Sequence, residues 1–413
     1  MKKRRIPFFI ISVLSFLLTV YGCHKNDAED IILPDPGSIA VARSLNLSKS
    51  QEAILFSIND FGLRLFKGFE SNNISRNLFM SPYSVSLSLA MLMECTEGKA
   101  REELLKSLGL EGGLGSEIGS FFQGITADLL TVDPSTLIKL ANGLWLDSSF
   151  KSSVRSEYLT MLKERYWTDY GFYDLSSASS VKAINNWCSL KTQGKIKGIL
   201  SDPVGGEMID VNTLYFGAQW RKKFERIEVS YFHHLNGDQE KIRMMRDVEE
   251  RRYSDDGVYQ YLSLPFGNDA FCFEIILPDE ESFVEDIVNL EYLTIEKLRR
   301  SSSNREVIIG LPKFKIDNDL DMRPTLEGLG IKSIFEDGKS FAPISSQSLI
   351  CRGMGQNVQI SVDENGTIAA AATYKLMSTS LGLPPVHFEV NRPFLFLISE
   401  RSSGTILFIG QFV

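Results

Sequence analysis

Four histidines and five cysteines are the residues from which a metal site or a nucleophile–base pair could be built, and their spacing supports neither. His233 and His234 are adjacent, and adjacent side chains on a strand face opposite sides, which makes them surface residues rather than a chelate. His24 and His387 stand alone, and no HExxH or clustered Cys/His pattern occurs. Cys95, Cys188, Cys272 and Cys351 lie far apart with no CxxC pair, so they read as free buried thiols, not as a disulfide or zinc framework. Gly338-Lys339-Ser340 imitates the end of a phosphate loop, but Ser333 occupies the leading glycine position. No GxSxG elbow is present and no serine has an evident base partner. Enzymatic chemistry is not expected, and no cofactor or metal is.

What the sequence does offer is one long segment without regular periodicity. From Ser361 to Pro385 a strand ends near Glu364, passes Gly366, and enters a tract of small residues. A polar stretch without periodicity comes next, up to Pro384 and Pro385. The alanines alone would suit a turn of helix, alanine being the best helix former. A connection of this length inside a compact domain is nevertheless either functional or disordered, because loops beyond ~12 to 15 residues are uncommon there.

The elements that must hold such a segment are legible from periodicity. Apolar residues at helical spacing predict helices over Glu52 to Phe69, Pro82 to Cys95 (with Ser81 as cap and proline in the first turn), Ala100 to Leu108, Val154 to Tyr166 and Val181 to Leu190. Strands are predicted at Val211 to Phe216, Tyr259 to Leu264, Phe271 to Leu277, Val307 to Leu311, Gln359 to Val362, Phe394 to Ser399 and Ile406 to Phe412. Helices first and antiparallel-looking strands later indicate an α+β fold. From residue 49 to 413 there is no repeat, linker or composition shift, so one domain is expected there. The 413 residues are 43% hydrophobic and 23% charged, with a formal charge of -8. Those proportions are those of a globular protein. The acidic balance argues against nucleic acid as partner, since phosphate neutralisation needs a basic face.

The N-terminus reads as a targeting segment. Lys2, Lys3, Arg4 and Arg5 precede an apolar stretch from Ile6 to Val20, too short and too interrupted by Pro7, Ser12, Ser15 and Thr19 to span a bilayer, which takes ~20 apolar residues. Residues 1–22 are expected to be a signal peptide. Gly22 before Cys23 resembles a bacterial lipoprotein processing site, which would lipidate Cys23 and leave 23–48 as a linker. An ordinary signal peptide with an incidental cysteine is the alternative. The expected location is outside the cytoplasm: anchored through lipid to a bacterial membrane, at the outer membrane or cell surface, or secreted.

The segment 361–385 resembles the hinge and reactive-centre loop of serpins, and five further motifs in the family's order extend the resemblance over residues 49–413. They are Asn77 to Val85 (NLFMSPYSV), Asn185 to Ile196 (NNWCSLKTQGKI), Val211 to Trp220 (VNTLYFGAQW), Leu311 to Phe314 (LPKF) and Asn391 to Phe396 (NRPFLF).

The resemblance implies a suicide inhibitor of serine proteases. A protease cleaves the exposed loop, about 364–385, becomes acyl-linked to it, and is trapped as the loop inserts into a large central sheet. Glu364 and Gly366 fall at the family's hinge positions. Thr367, Ala369, Ala371 and Thr373 would share the face that becomes buried, and Ile368, Ala370, Ala372 and Tyr374 would face outward. The resemblance also puts Trp220 and Lys313 at the breach where the sheet opens, with Lys313 pairing Glu364. An ordinary core tryptophan and a solvated ion pair are the competing readings. Ser81, Ser84 and Asn212 match the buried shutter, where the family's usual histidine is replaced by Gln356. Counting from the hinge puts the scissile bond between Ser380 and Leu381. Counting back from Pro393 leaves the range Thr379 to Gly382, and Lys375 and Met377 are second baits.

Serine on the acyl side suits elastase-like or subtilisin-like targets, leucine chymotrypsin-like ones, and papain-like cysteine proteases remain open. A monomer is expected. The rival within the family is a non-inhibitory binder or chaperone, whose mark would be charge or proline on the inserting face. A hydrolase is disfavoured by the missing nucleophile and base.

Overall fold

A computed structural model of the chain describes residues 33–70, 76–278, 282–367 and 383–413. Cys23 and the loop residues Ala369, Ala370, Ala371, Ala372, Thr373, Ser380 and Leu381 lie outside them. The body is one unit, Ile32–Val413. Residues before the first long helix pack onto it: Leu45 is buried, the Ala42 amide donates to Asn268 O at 3.0 Å, and Arg43 pairs with Asp128 at 2.7 Å.

Helices gather early in the chain, as α1 (Lys49–Glu70), α2 (Pro82–Glu94), α3 (Gly98–Ser107), α4 (Ile118–Leu129), α5 (Ser156–Tyr166) and α6 (Ala178–Lys191). Helix α1 starts at a reciprocal cap. The Ser48 hydroxyl accepts from the Gln51 amide at 3.2 Å, and Gln51 Oε1 accepts from the Ser48 amide at 2.9 Å. That satisfies donors a helix N-terminus otherwise leaves free. Its residues Ile54, Ile58, Phe61 and Leu65 recur at helical spacing and are all buried. Helix α2 is buried almost all round, the signature of a helix in the middle of a core rather than on its rim.

The strands are β1 (Leu78–Met80), β2 (Leu137–Asp147), β3 (Thr168–Tyr173), β4 (Met208–Gly217), β5 (Arg226–His233), β6 (Gln239–Asp255), β7 (Tyr259–Pro265), β8 (Phe271–Pro278), β9 (Ser303–Pro312), β10 (Phe314–Asp321), β11 (Cys351–Val362), β12 (Val386–Glu389), β13 (Phe394–Glu400) and β14 (Ile406–Phe412). One sheet has nine strands in the order β1-β14-β13-β8-β7-β6-β9-β12, with β5 on β6; the other has five, β10-β11-β4-β2-β3. Strands β8, β13 and β14 are buried on both faces, which explains their continuous apolar runs. Fold and class agree with the α+β expectation. Helix α4, the later helices Phe283–Asn289, Tyr292–Ser301, Arg323–Gly328 and Ser333–Glu336, and strands β1, β2, β3, β5, β6, β10 and β12 lack a sequence prediction, and the strand predicted at Gln359 to Val362 is the end of the longer β11.

The five-stranded sheet is not evenly laddered. Strand β4 is paired antiparallel to β2 over its whole length, Met208↔Leu146 through Gly217↔Leu137. Its parallel ladder with β11 runs only from Met208↔Cys351 to Asn212↔Gln356. Beyond that pair, Thr213–Gly217 and Asn357–Val362 share no ladder, although β11 stays paired to β10 as far as Val362. The centre of the sheet therefore has a seam that is closed at one end and unladdered at the other.

The stretches that imitated chemistry are structural. Ser340 is buried with its hydroxyl donating to Ser333 O at 3.0 Å, so Gly338–Ser340 cradles no phosphate. Cys95, Cys188, Cys272 and Cys351 are free and buried, and burial pushes all four thiols up. Among the described residues no cluster of His, Cys, Asp or Glu could hold a metal, and no helix is long and apolar enough to cross a membrane.

Candidate functional site

The unladdered end of the seam is where the chain leaves β11 for the loop. Asp363, Glu364, Asn365 and Gly366 form a turn closed by two backbone bonds, Asp363 N to Gly366 O at 2.9 Å and Gly366 N to Asp363 O at 3.1 Å. Asp363 Oδ1 also accepts from the Asn365 amide at 2.8 Å. The turn is docked on the segment after β4. The Trp220 amide donates to Asn365 O at 2.9 Å, the Trp220 indole to Asp363 O at 2.8 Å, and the Phe224 amide to Glu364 O at 3.1 Å. Trp220 is 2% exposed and stacked on Phe266 at 4.5 Å, so one side chain is both core aromatic and hinge clamp.

Gly366 has φ 132°, and a Cβ there would meet Ala218 O at 2.2 Å and Gln219 Cα at 2.7 Å. Only glycine permits this approach of hinge to strand. The next residue already enters the mouth of the seam. The Thr367 amide donates to Ala218 O at 2.7 Å, and the Ala218 amide donates to Thr367 Oγ1 at 2.8 Å. Lys313, between β9 and β10, hydrogen-bonds Glu364, and that bond holds the Glu364 carboxyl below the usual carboxylate range. Both are half-buried, so the pair is not simply solvated.

The closed end of the seam sits on the N-terminus of α2. Gln356 Oε1 accepts from the Ser81 amide at 2.8 Å, and Gln356 Nε2 donates to Ser81 O at 3.0 Å and to Asn212 Oδ1 at 3.1 Å. Ser84 Oγ donates to the same Asn212 oxygen at 2.8 Å, and Ser81 Oγ donates to Leu407 O at 2.8 Å while capping α2 through Ser84 N at 3.2 Å. Gln356 thus ties β11 to both β4 and α2 through its side-chain amide. Just past it, Thr213 Oγ1 donates to Asn357 O at 2.7 Å and bridges the seam where the ladder has ended.

All nine of the described candidates, Ser81, Ser84, Asn212, Trp220, Lys313, Gln356, Glu364, Gly366 and Thr367, thus lie along one seam. Sequence reasoning missed Thr213, Ala218, Asp363 and Phe224, which act mostly through backbone atoms. The Asn365-Gly366 pair was a turn signal that could have found the docking turn. On the far side, Leu383 is 70% exposed, Arg305 donates to Pro384 O at 3.2 Å, and β12 joins β9 with Glu389 on Arg246. Both ends of the interval 368–382 are therefore anchored on the body.

Residues 56–413 match the family model Serpin (serine protease inhibitor). The chain belongs to the serpin family. Serpins are protease inhibitors, not enzymes, in keeping with the absence of catalytic constellations from the sequence. The human leukocyte elastase inhibitor is 30% identical over 372 residues, 85% of this chain and 97% of that protein. Among solved structures, the thermophilic serpin tengpin in its native state superposes with TM-score 0.79 at 25% identity, covering 92% of this chain and 99% of that one. Human thyroxine-binding globulin complexed with thyroxine superposes at 0.79, also 25% identical, over 87% and 98% of the two chains.

Proposed function

We propose that this serpin is an exported bacterial inhibitor that traps serine proteases by inserting its cleaved loop into the seam between β4 and β11. The observation carrying this reading is that the β4–β11 ladder stops at Asn212↔Gln356 while Thr367 already bonds Ala218 at the open end. The protease serine adds to the carbonyl carbon of Ser380, the C–N bond to Leu381 breaks, and the new amine keeps the transferred proton. The acyl ester then joins protease and loop. Residues 367–373 run into the seam before water reaches the ester, and Thr367, Ala369, Ala371 and Thr373 turn small uncharged side chains into the core. A charge on that face would cost several kcal/mol to bury.

The non-inhibitory reading finds no charge or proline on that face, although thyroxine-binding globulin shares the fold. A small acyl-side residue favours elastase-like or subtilisin-like targets, and kinship with an elastase inhibitor points the same way. Residues 1–22 act as a signal peptide, and lipidation of Cys23 holds the inhibitor at a membrane outside the cytoplasm. Incubation with a protease panel tests the reading: a complex that survives denaturing gels, with a released peptide beginning at Leu381, is expected. Cleavage with no complex would assign the chain to the non-inhibitory branch.

A further inference from the structure

Below the shutter, β4 carries an acid that its surroundings barely satisfy. Asp210 is 1% exposed, and neither carboxylate oxygen has a hydrogen-bond partner of normal geometry. Period two puts it on the same face as Asn212, whose side chain meets Ser84 on α2, so Asp210 also looks toward that helix. Ser88, one turn beyond Ser84, has an equally unpartnered hydroxyl, and the Asn212 side-chain nitrogen is unpartnered too. Register sets Asp210 against Leu144 of β2 and Met354 of β11, inside the ladder that must part if a strand is to enter.

The groups facing it are almost all neutral. Helix α2 presents Ser84 and Ser88, β2 presents Leu144, and β11 presents Met354, Gln356 and one titratable side chain, Cys351. Burial and Asp210 push the Cys351 thiol up to about 12, so it stays protonated. Arg323, which acts on Cys351 from the segment after β10, is ion-paired with Glu327. Burial raises the carboxyl of Asp210 from 3.8 to about 7, with Ser88, Asn212 and the Val211 amide offsetting part of the effect.

We propose that Asp210 is a pH-sensitive catch on the seam: protonated, it leaves β4 packed on α2 and β11, and ionised, it favours the parted sheet that accepts the loop. Parting admits water to the carboxylate and returns it toward its ordinary acidity. Between about pH 4 and about pH 7 the closed sheet then holds a proton that the parted sheet does not. Rising pH across that window favours parting by up to about tenfold per unit, and above it the effect is flat.

This inference rests on the insertion reading, and its test involves no protease. An N-acetylated peptide of residues 366–380, which has no side chain titrating between pH 5 and 8, is annealed to the full protein and followed on native gels. Annealing should quicken at least tenfold from pH 5 to pH 7.5. Asp210→Asn, neutral and of the same shape, should anneal at the slow acid-side rate throughout. No annealing at any pH would overturn insertion and catch together. Annealing without pH dependence, or with the same dependence in Asp210→Asn, would overturn the catch alone. Carboxyl carbon-13 NMR of the unaltered protein covers the case of a variant that fails to fold. Its Asp210 signal should titrate near 7 before loop cleavage and in the ordinary carboxylate range after it, and an ordinary midpoint before cleavage would refute the proposal.

Discussion

Thr367 occupies both polar groups of Ala218: its amide donates to the Ala218 carbonyl at 2.7 Å, and its hydroxyl accepts from the Ala218 amide at 2.8 Å. Under the proposed mechanism Thr367 would be the first residue to insert, and it is seated beside the buried Ala218, just past the end of β4. An arginine here would have to place an unpaired guanidinium where Thr367 now satisfies the backbone. Thr367→Arg should still be cut at the same bond, but the number of inhibitor molecules consumed per trapped protease should rise at least tenfold. Gel quantification of covalent complex against cleaved free protein measures this, and an unchanged yield would remove insertion from the mechanism.

Glu364 gives the hinge an acid limit. Its carboxyl is depressed in the folded hinge through the Lys313 hydrogen bond, so the pair stabilises the hinge above the ordinary carboxylate value of 4.5 and is lost as pH falls through the lower folded value. Hydrogen-exchange protection at Asn365 to Thr367 should be level from pH 8 to pH 5 and drop below about pH 4. Lys313→Met should flatten that drop at a cost of ~0.5 to 1 kcal/mol.

Gln356→Ala probes the shutter. It removes three buried hydrogen bonds and leaves the Ser81 amide without an acceptor, a loss of about 2 to 4 kcal/mol. Thermal melts should show a midpoint lower by about 3 to 5 °C at every pH between 5 and 8. A midpoint unchanged within error would mean that the network does not hold the sheet closed.

Much of this site was readable through the resemblance of its motifs to the serpin family, which picked out Glu364, Gly366, Trp220, Lys313, Ser84 and Asn212, whereas local pattern by itself gave the Ser81 cap before Pro82. The seam itself was not readable. Whether β4 and β11 are laddered beyond Gln356 is a relation between strands far apart in sequence, and periodicity carries no such information. Strand β5 escaped for a different reason: its face is mostly exposed, so its apolar signal is weak. Strand β2 mixes half-buried and buried positions without clean alternation. Asp210 was hidden inside a string of strand-forming residues, where an acid looks like an outward-facing position until burial shows otherwise.

Anchoring makes its own prediction. If Cys23 carries lipid, Cys23→Ser should move the protein from the membrane fraction to the soluble exported fraction, and the mature N-terminus should lose its acyl mass. Membrane association that persists in the variant would leave Cys23 as an incidental residue of an ordinary signal peptide.

Cleavage should make this protein more stable, the reverse of what nicking a loop does to most folds. At the open end of the seam, Thr213–Gly217 and Asn357–Val362 face each other without a ladder, each paired only to its outer neighbour. A cut within 375–382 frees 367–374 from its far anchor at Leu383 and β12. The freed stretch can then lie between β4 and β11 and offer backbone groups to both. At about 1 kcal/mol net for each hydrogen bond, a strand of this length supplies several kcal/mol, against the ordering entropy of a loop already tethered at Thr367. Scanning calorimetry before and after limited proteolysis should show the midpoint rising by about 5 °C or more. Mass spectrometry should place the cut, with both fragments still associated. A midpoint that stayed level or fell would mean that the seam does not accept its own loop, and the inhibitory mechanism would fail with it.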